Sequence, residues 1–197
     1  MNVIGIVTKA LRPLVLGLAA ATICAASAPA QTIAEKIQLC GACHGEDGNS
    51  KMENIPSIAG QPAFFILNQL FLMREGVRKV EAMAPIVKDL KDPDLDALSA
   101  HFSKLPAKPS GEALDPALAK RGTAVATQKR CASCHLPTLA GSDQIPRIAK
   151  QRLDYLIVTL KMYRDNPRPG ADTAMSAAIV GVSDDDLVAL AHYAASH

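Results

Sequence analysis

Apolar positions recur along the chain at intervals of three and four, the period of a helix, and no stretch alternates convincingly with period two. After an N-terminal apolar run, Thr32 to Leu39 reads as a short helix, and Gly45 to Ile58, rich in Gly, Asn, Ser and Pro, reads as a loop. Pro62 to Glu75 is the first strong helix, with Pro62 in its first turn and Phe64, Leu67 and Phe71 on one face. Asp92-Pro93 then marks a helix start, with Asp as the cap and Pro at the first position, and Leu95, Leu98, Phe102 and Leu105 continue at helical spacing. Ala117 to Arg130 is a helix, Leu136 to Ile148 a loop, and Arg152 to Asp165 a helix with Tyr155, Val158 and Met162 on one face. Ser183-Asp184-Asp185-Asp186 caps a last helix carrying Leu187, Leu190 and Tyr193. The predicted fold class is all-α.

This order is stated twice. Ile55-Pro56-Ser57-Ile58-Ala59-Gly60-Gln61 answers Ile145-Pro146-Arg147-Ile148-Ala149-Lys150-Gln151, and Arg74 answers Arg164. Asp94, Leu95 and Leu98 answer Asp186, Leu187 and Leu190, 92 positions on. Single-residue gaps in loops reconcile the offsets, so a duplicated domain is the simplest account. Residues 31–106 are assigned to the first domain and 119–197 to the second. Residues 107–118, with Pro109, Gly111 and Pro116, form the linker.

Composition changes this picture in two ways. Apolar residues make up 49% of the chain, yet only three Tyr, four Phe and no Trp supply bulk. A fold of about 75 residues with so few large side chains is marginal by itself, so something other than side chains is expected in each core. The N-terminus carries Lys9 and Arg12, an apolar run over residues 14–28 and an Ala28-Pro29-Ala30 cleavage pattern, so residues 1–30 read as a secretory signal peptide. A retained anchor is the alternative, but the run is shorter than the roughly 20 residues a membrane span needs. Ile23 before Cys24 makes a poor lipoprotein box. Beyond residue 30, 19 basic residues balance 19 acidic ones, 8 against 10 up to residue 106 and 11 against 9 after it. Nothing in that balance points to nucleic acid.

The remaining four cysteines fall in Cys40-Gly41-Ala42-Cys43-His44 and Cys131-Ala132-Ser133-Cys134-His135, motifs 91 positions apart. Cys-x-x-Cys-His is the attachment signature of a c-type haem: two thiols add across the vinyl groups and the adjacent imidazole reaches the iron. Two copies imply two covalently bound haem c groups, with the cofactor forming much of each core, and export suits them because such haems are attached outside the bacterial cytoplasm. A zinc site would need a second Cys/His pair at finger spacing, and a thioredoxin-like Cys pair a βαβ setting.

No local motif announces the sixth iron ligand. Met83 and Met175 are 92 apart, in register with the helices that follow, and each lies in the loop before the terminal helix of its half. Met52 and Met73 have no methionine counterpart, and Met162 reads as core filler. His101 and His192 are 91 apart, one residue out of register, which is a rotation of about 100° on a helix; they read as surface or capping histidines, and His197 as a frayed end. A Met thioether favours Fe(II) and raises the potential. The carbonyls of Pro56 and Pro146 are candidates to accept the N–H of His44 and His135, a loop proline being the plain alternative. Arg74, Arg164 and Lys79 are candidate partners for haem propionates, although solvated charges account for them more simply.

Two Cys-x-x-Cys-His motifs in tandem, each followed by Ile-Pro-x-Ile-Ala, an amphipathic middle helix and a Met, resemble the dihaem cytochrome c4 family over residues 32–197. The resemblance implies two class I cytochrome c domains facing each other across a pseudo-twofold axis, with propionates near the interface. It implies His44 and His135 as proximal ligands, Met83 and Met175 as distal ligands, and Pro56 and Pro146 as imidazole-orienting residues. It also implies periplasmic electron transfer to redox protein partners such as an oxidase, a reductase or a dehydrogenase, with peripheral membrane association at most. Leu136-Pro137 and Phe64-Phe65 depart from the family's usual wording. The leading expectation is therefore a non-enzymatic electron shuttle. A dihaem subunit bound within a larger dehydrogenase, as in flavocytochrome sulfide dehydrogenases, is the second reading. A dihaem enzyme such as a peroxidase or thiosulfate dehydrogenase is the third.

Overall fold

The computed structural model describes Met1 and residues 31–197, so the predicted signal peptide, with Cys24, lies outside the described residues apart from Met1. Helix starts follow the polar residues able to cap them. Thr32 Oγ1 accepts the Glu35 N–H at 3.3 Å and the Glu35 carboxylate accepts the Thr32 N–H at 2.7 Å, opening α1 (Ile33–His44). α1 runs past the predicted Leu39 and carries the whole first motif. α2 (Ala63–Arg74) follows, then a short α3 (Ala84–Val87) and α4 (Asp92–Ser103). Asp92 is the first residue of α4 rather than its cap; the Asp94 carboxylate instead accepts the Lys91 N–H at 2.9 Å.

In the second half Asp115 accepts the Ala117 and Leu118 N–H groups and opens α5 (Pro116–Gln128). α5 stops before the second motif, Arg130 turns the chain at φ 57°, and α6 (Ala132–His135) carries Cys134 and His135. α7 (Leu153–Asp165), α8 (Thr173–Ala178) and α9 (Asp184–Ser196) complete the chain, with Ser183 capping α9 as predicted. Among the described residues there is no strand, only one isolated bridge between Ser142 and Ile145. The architecture is all-α. The motifs exit differently: Gly45 takes φ 86°, whereas Leu136 occupies φ 67°, ψ 160°, a glycine region that costs a branched side chain about 1–3 kcal/mol.

Each half packs its middle helix on its terminal helix, α2 on α4 and α7 on α9. The first core gathers Ile66, Leu70, Val87, Leu95, Leu98 and Phe102. The second divides into a cluster around Leu139, Leu156 and Ala191 and another around Ile179, Val182, Leu187 and Leu190. Phe64 and Phe71 share a face as predicted, but that face points outward, 55% and 42% exposed; Ile66 and Leu70 carry the buried seam. A helix apolar almost all round offers periodicity no way to choose its inner face. Val158 on α7 is likewise exposed, and Leu156 is buried in its place.

Residues 31–197 form one compact unit. A reciprocal pair of glutamines joins its halves: Gln151 Oε1 accepts the Ser57 N–H at 2.7 Å while its Nε2 donates to Ser57 O at 2.8 Å. Gln61 makes both bonds to Arg147, each at 2.9 Å. The segment between the halves is also tied down. Lys108 donates its N–H to Asn49 Oδ1 at 2.8 Å and its Nζ to Asp47 at 2.7 Å, and Glu112 accepts the Leu153 and Asp154 N–H groups at the start of α7.

Candidate cofactor site

The last turn of α1 and the single turn of α6 hold His44 and His135 inside the protein, 8% and 7% exposed. His44 Nδ1 lies 2.8 Å from Pro56 O, and His135 Nδ1 lies 2.9 Å from Pro146 O. A carbonyl can only accept, so each Nδ1 carries the proton and each Nε2 keeps a free lone pair. Burial holds both imidazoles below their ordinary pKa, with the carbonyl bond pulling the other way. Both rings are therefore neutral donors suited to a metal, with their orientation fixed from behind.

The cysteines repeat the same asymmetry. Cys40 and Cys131 are half-buried and burial pushes their thiols up, while Cys43 and Cys134 are exposed. All four are free thiols on one side of a helical turn beside a buried imidazole. Among the described residues no three His, Cys, Asp or Glu gather as a closed metal site, which disfavours the zinc reading.

Met83 caps α3 and Met175 sits in the first turn of α8, so neither lies in open loop. Met83 and Cys40 both pack on the first core, and Met83 lines the same cleft as His44; Met175 and Cys131 both pack on the Ile179 cluster. Met73 also lines the first cleft, whereas Met52 is exposed. The other histidines are engaged elsewhere. His192 Nδ1 accepts the Asp115 N–H at 3.1 Å, His101 meets Phe102 edge-on, and His197 bonds Tyr193 O.

The cleft holding His44 and Met83 is walled by apolar groups such as Phe65, Leu70 and Phe102 and continues into the second half past Arg147, Tyr155 and Arg168. Its cavity volume is about 250 Å³, open in part to solvent. Three guanidinium nitrogens along it are buried without a hydrogen-bond partner: Arg78 Nε, Arg147 Nη2 and Arg168 Nη1. Arg147 is 5% exposed and burial lowers its pKa to about 10, so it is still a cation at neutral pH. Arg78 and Arg168 both turn a nitrogen to Gln69 Oε1, at 2.7 and 3.5 Å. Among the described residues none of the three meets a carboxylate within ion-pair distance. Buried cations need anions. Flat apolar macrocycles bearing carboxylates, each thioether-linked to one Cys-x-x-Cys pair, fit both the walls and the unpaired charges.

Sequence reasoning named other cations for this task. Arg74 instead pairs with Asp92 and Glu75, Arg164 with Asp165 and Asp184, and each donates to a backbone carbonyl ahead of the terminal helix, Leu90 O and Val182 O. Lys79 is exposed. Arg78 and Arg168 are 90 positions apart, so the repeat carried their signal; Arg147 answers Ser57 and had none.

The cytochrome c family model matches residues 119–197. Cytochrome c4 of Stutzerimonas stutzeri is 33% identical, over 94% of this chain and 97% of its own. A thiosulfate dehydrogenase electron acceptor from Stutzerimonas stutzeri strain A1501 is 30% identical over 80% of this chain and 78% of its own. The crystal structure of reduced recombinant cytochrome c4 from Pseudomonas stutzeri superposes with a TM-score of 0.74 at 30% identity, covering 85% of this chain and 99% of that one.

Proposed function

Because the chain belongs to the cytochrome c4 family, whose members are dihaem electron carriers, we propose that it works as a periplasmic shuttle whose two haem c groups are each held between an imidazole and a methionine sulfur. The haems are bound covalently through Cys40 and Cys43 and through Cys131 and Cys134. In this reading His44 and His135 are the proximal ligands, and Met83 and Met175 the distal ones. The observation that carries it is the pair of imidazole-to-carbonyl bonds, which leave both Nε2 atoms free and aimed by the fold.

When bound, each haem supplies a one-electron couple. The chain's own residues do the rest. Buried neutral imidazoles and soft sulfurs suit low-spin iron whose geometry changes little with oxidation state, and leave no position open for substrate. The apolar cleft lowers the local dielectric, while Arg78, Arg147 and Arg168 are the residues that would compensate propionate charge. The predicted leader and the haem chemistry together support a periplasmic location. Among the described residues no helix is long and apolar enough to cross a membrane.

Met83→Ala and Met175→Ala test the ligand set. Each is expected to open one iron to carbon monoxide in the reduced protein at native pH, to weaken the thioether charge-transfer absorption of the oxidised protein, and to lower one of two resolved midpoint potentials. A variant that binds no carbon monoxide and keeps both potentials refutes that Met as ligand. The similarity to a thiosulfate dehydrogenase electron acceptor favours one second reading, a carrier dedicated to a dehydrogenase. Co-purification of the native protein with such an enzyme would support it over a free shuttle.

A further inference from the structure

The glutamine contacts between the halves fall on the peptide units that hold the imidazoles. Pro56 O, which accepts the His44 Nδ1–H, and the Ser57 N–H, which donates to Gln151 Oε1, are two ends of one peptide group. Pro146 O and the Arg147 N–H stand in the same relation, with His135 at one end and Gln61 at the other. Each half therefore contains a chain of three groups: imidazole N–H to peptide carbonyl, and the same peptide's N–H to a glutamine of the other half. Gln61 and Gln151 are 5% and 3% exposed, and Ser57 and Arg147 are 1% and 5% exposed, so no water competes for these bonds. A second bond, from each glutamine's Nε2 to the carbonyl of the same partner residue, fixes the amide's orientation.

We propose that Gln61 and Gln151 are positioning residues that act across the domain joint, each setting the strength of the imidazole hydrogen bond, and so the reduction potential, in the opposite half. Resting on the assignment of His44 and His135 as iron ligands, it follows from how an amide polarises. An acceptor on the N–H draws electron density toward the carbonyl oxygen, which then accepts more strongly. A stronger bond to Nδ1–H makes the imidazole a more basic ligand, favours Fe(III) and lowers the potential. The duplicated Gln is thus a cross-domain link between the two redox centres, and domain separation would shift both potentials upward.

The test uses the holoprotein with ¹⁵N-labelled histidine and a resolved redox titration. Gln151→Leu is expected to weaken the His44 Nδ1–H bond, seen as an upfield move of that proton, and to raise the potential of the first haem while leaving the second unchanged. Gln61→Leu is expected to do the converse to His135 and the second haem. Gln151→Glu keeps the shape should the Leu variant fail to fold. With its carboxyl protonated it reproduces both bonds and the native potential, and once ionised it lowers the potential of the first haem. Effects confined to the variant's own half, equal at both haems, or absent from both would overturn the proposal. Failure of the ligand assignment is read separately, because the ring nitrogens of His44 or His135 would then lack paramagnetic shifts in the oxidised native protein.

Discussion

Arg147 shows how a single residue can reveal a missing counter-charge. It donates Nε to Ala59 O at 3.2 Å and one terminal nitrogen to Ala149 O, but the other terminal nitrogen is buried and unpaired. An unpaired buried ion costs several kcal/mol, so the protein keeps this cation only because an anion belongs beside it. Arg147→Met is expected to lower both midpoint potentials in a redox titration, since a cation near either haem favours the reduced state. Arg74→Met, which removes an arginine already paired at the surface, is expected to leave them unchanged. At this scale the chemistry of the motifs was legible: the Cys and His spacing, the methionine register and the proline carbonyls all follow from the repeat. The sequence offers Arg74, Arg164 and Lys79 only as candidates, with solvated charge the simpler account, because a repeat marks equivalent positions and not what each one faces.

Between elements the closest approach is α5 against α9. A Cβ on Gly122 would overlap the Ala189 carbonyl and come within 2.7 Å of Tyr193 Cβ, so the helices touch only because this position has no side chain. Gly122→Ala is expected to destabilise the second half by about 1–3 kcal/mol despite the better helix propensity of Ala, since backbone must move to admit the methyl group. Denaturant unfolding of the holoprotein followed by circular dichroism would measure this, with the exposed neighbour Thr123→Ala as a neutral control. Among the described residues the first half shows no such glycine contact between helices; α1 (Ile33–His44) meets α4 through the Lys36–Asp94 pair at 2.6 Å. Asp92, read as a cap, is the first residue of α4, whereas helix existence and the Ser183 cap were readable. The buried faces of α2 and α7 were not, because both helices carry apolar residues on more than one side.

For the whole molecule, the segment between the halves is a strap bonded at both ends rather than a slack tether. Its first anchor is pH-sensitive: the Lys108 ammonium lowers the Asp47 carboxyl to about 2. The pair therefore contributes its full stability above the ordinary carboxylate pKa of about 3.9 and loses it as pH falls through the lowered value. Hydrogen exchange over residues 106–110, corrected for intrinsic rate, is expected to accelerate between pH 4 and pH 2 (about the interval separating those two values), and Asp47→Asn to remove that pH dependence.

The sequence by itself determined the helical class, the duplication, the sites of haem attachment and the candidate axial ligands. Each of these depends on residues near one another in the chain, where spacing alone sets which groups share a turn. Only the tertiary structure decided which helix faces turn inward, which arginines lack a partner, and that each imidazole's supporting peptide ends on the other half's glutamine. The glutamine bonds join residues some 86 to 94 positions apart, and burial, not sequence neighbourhood, makes a hydrogen bond or an unpaired charge count.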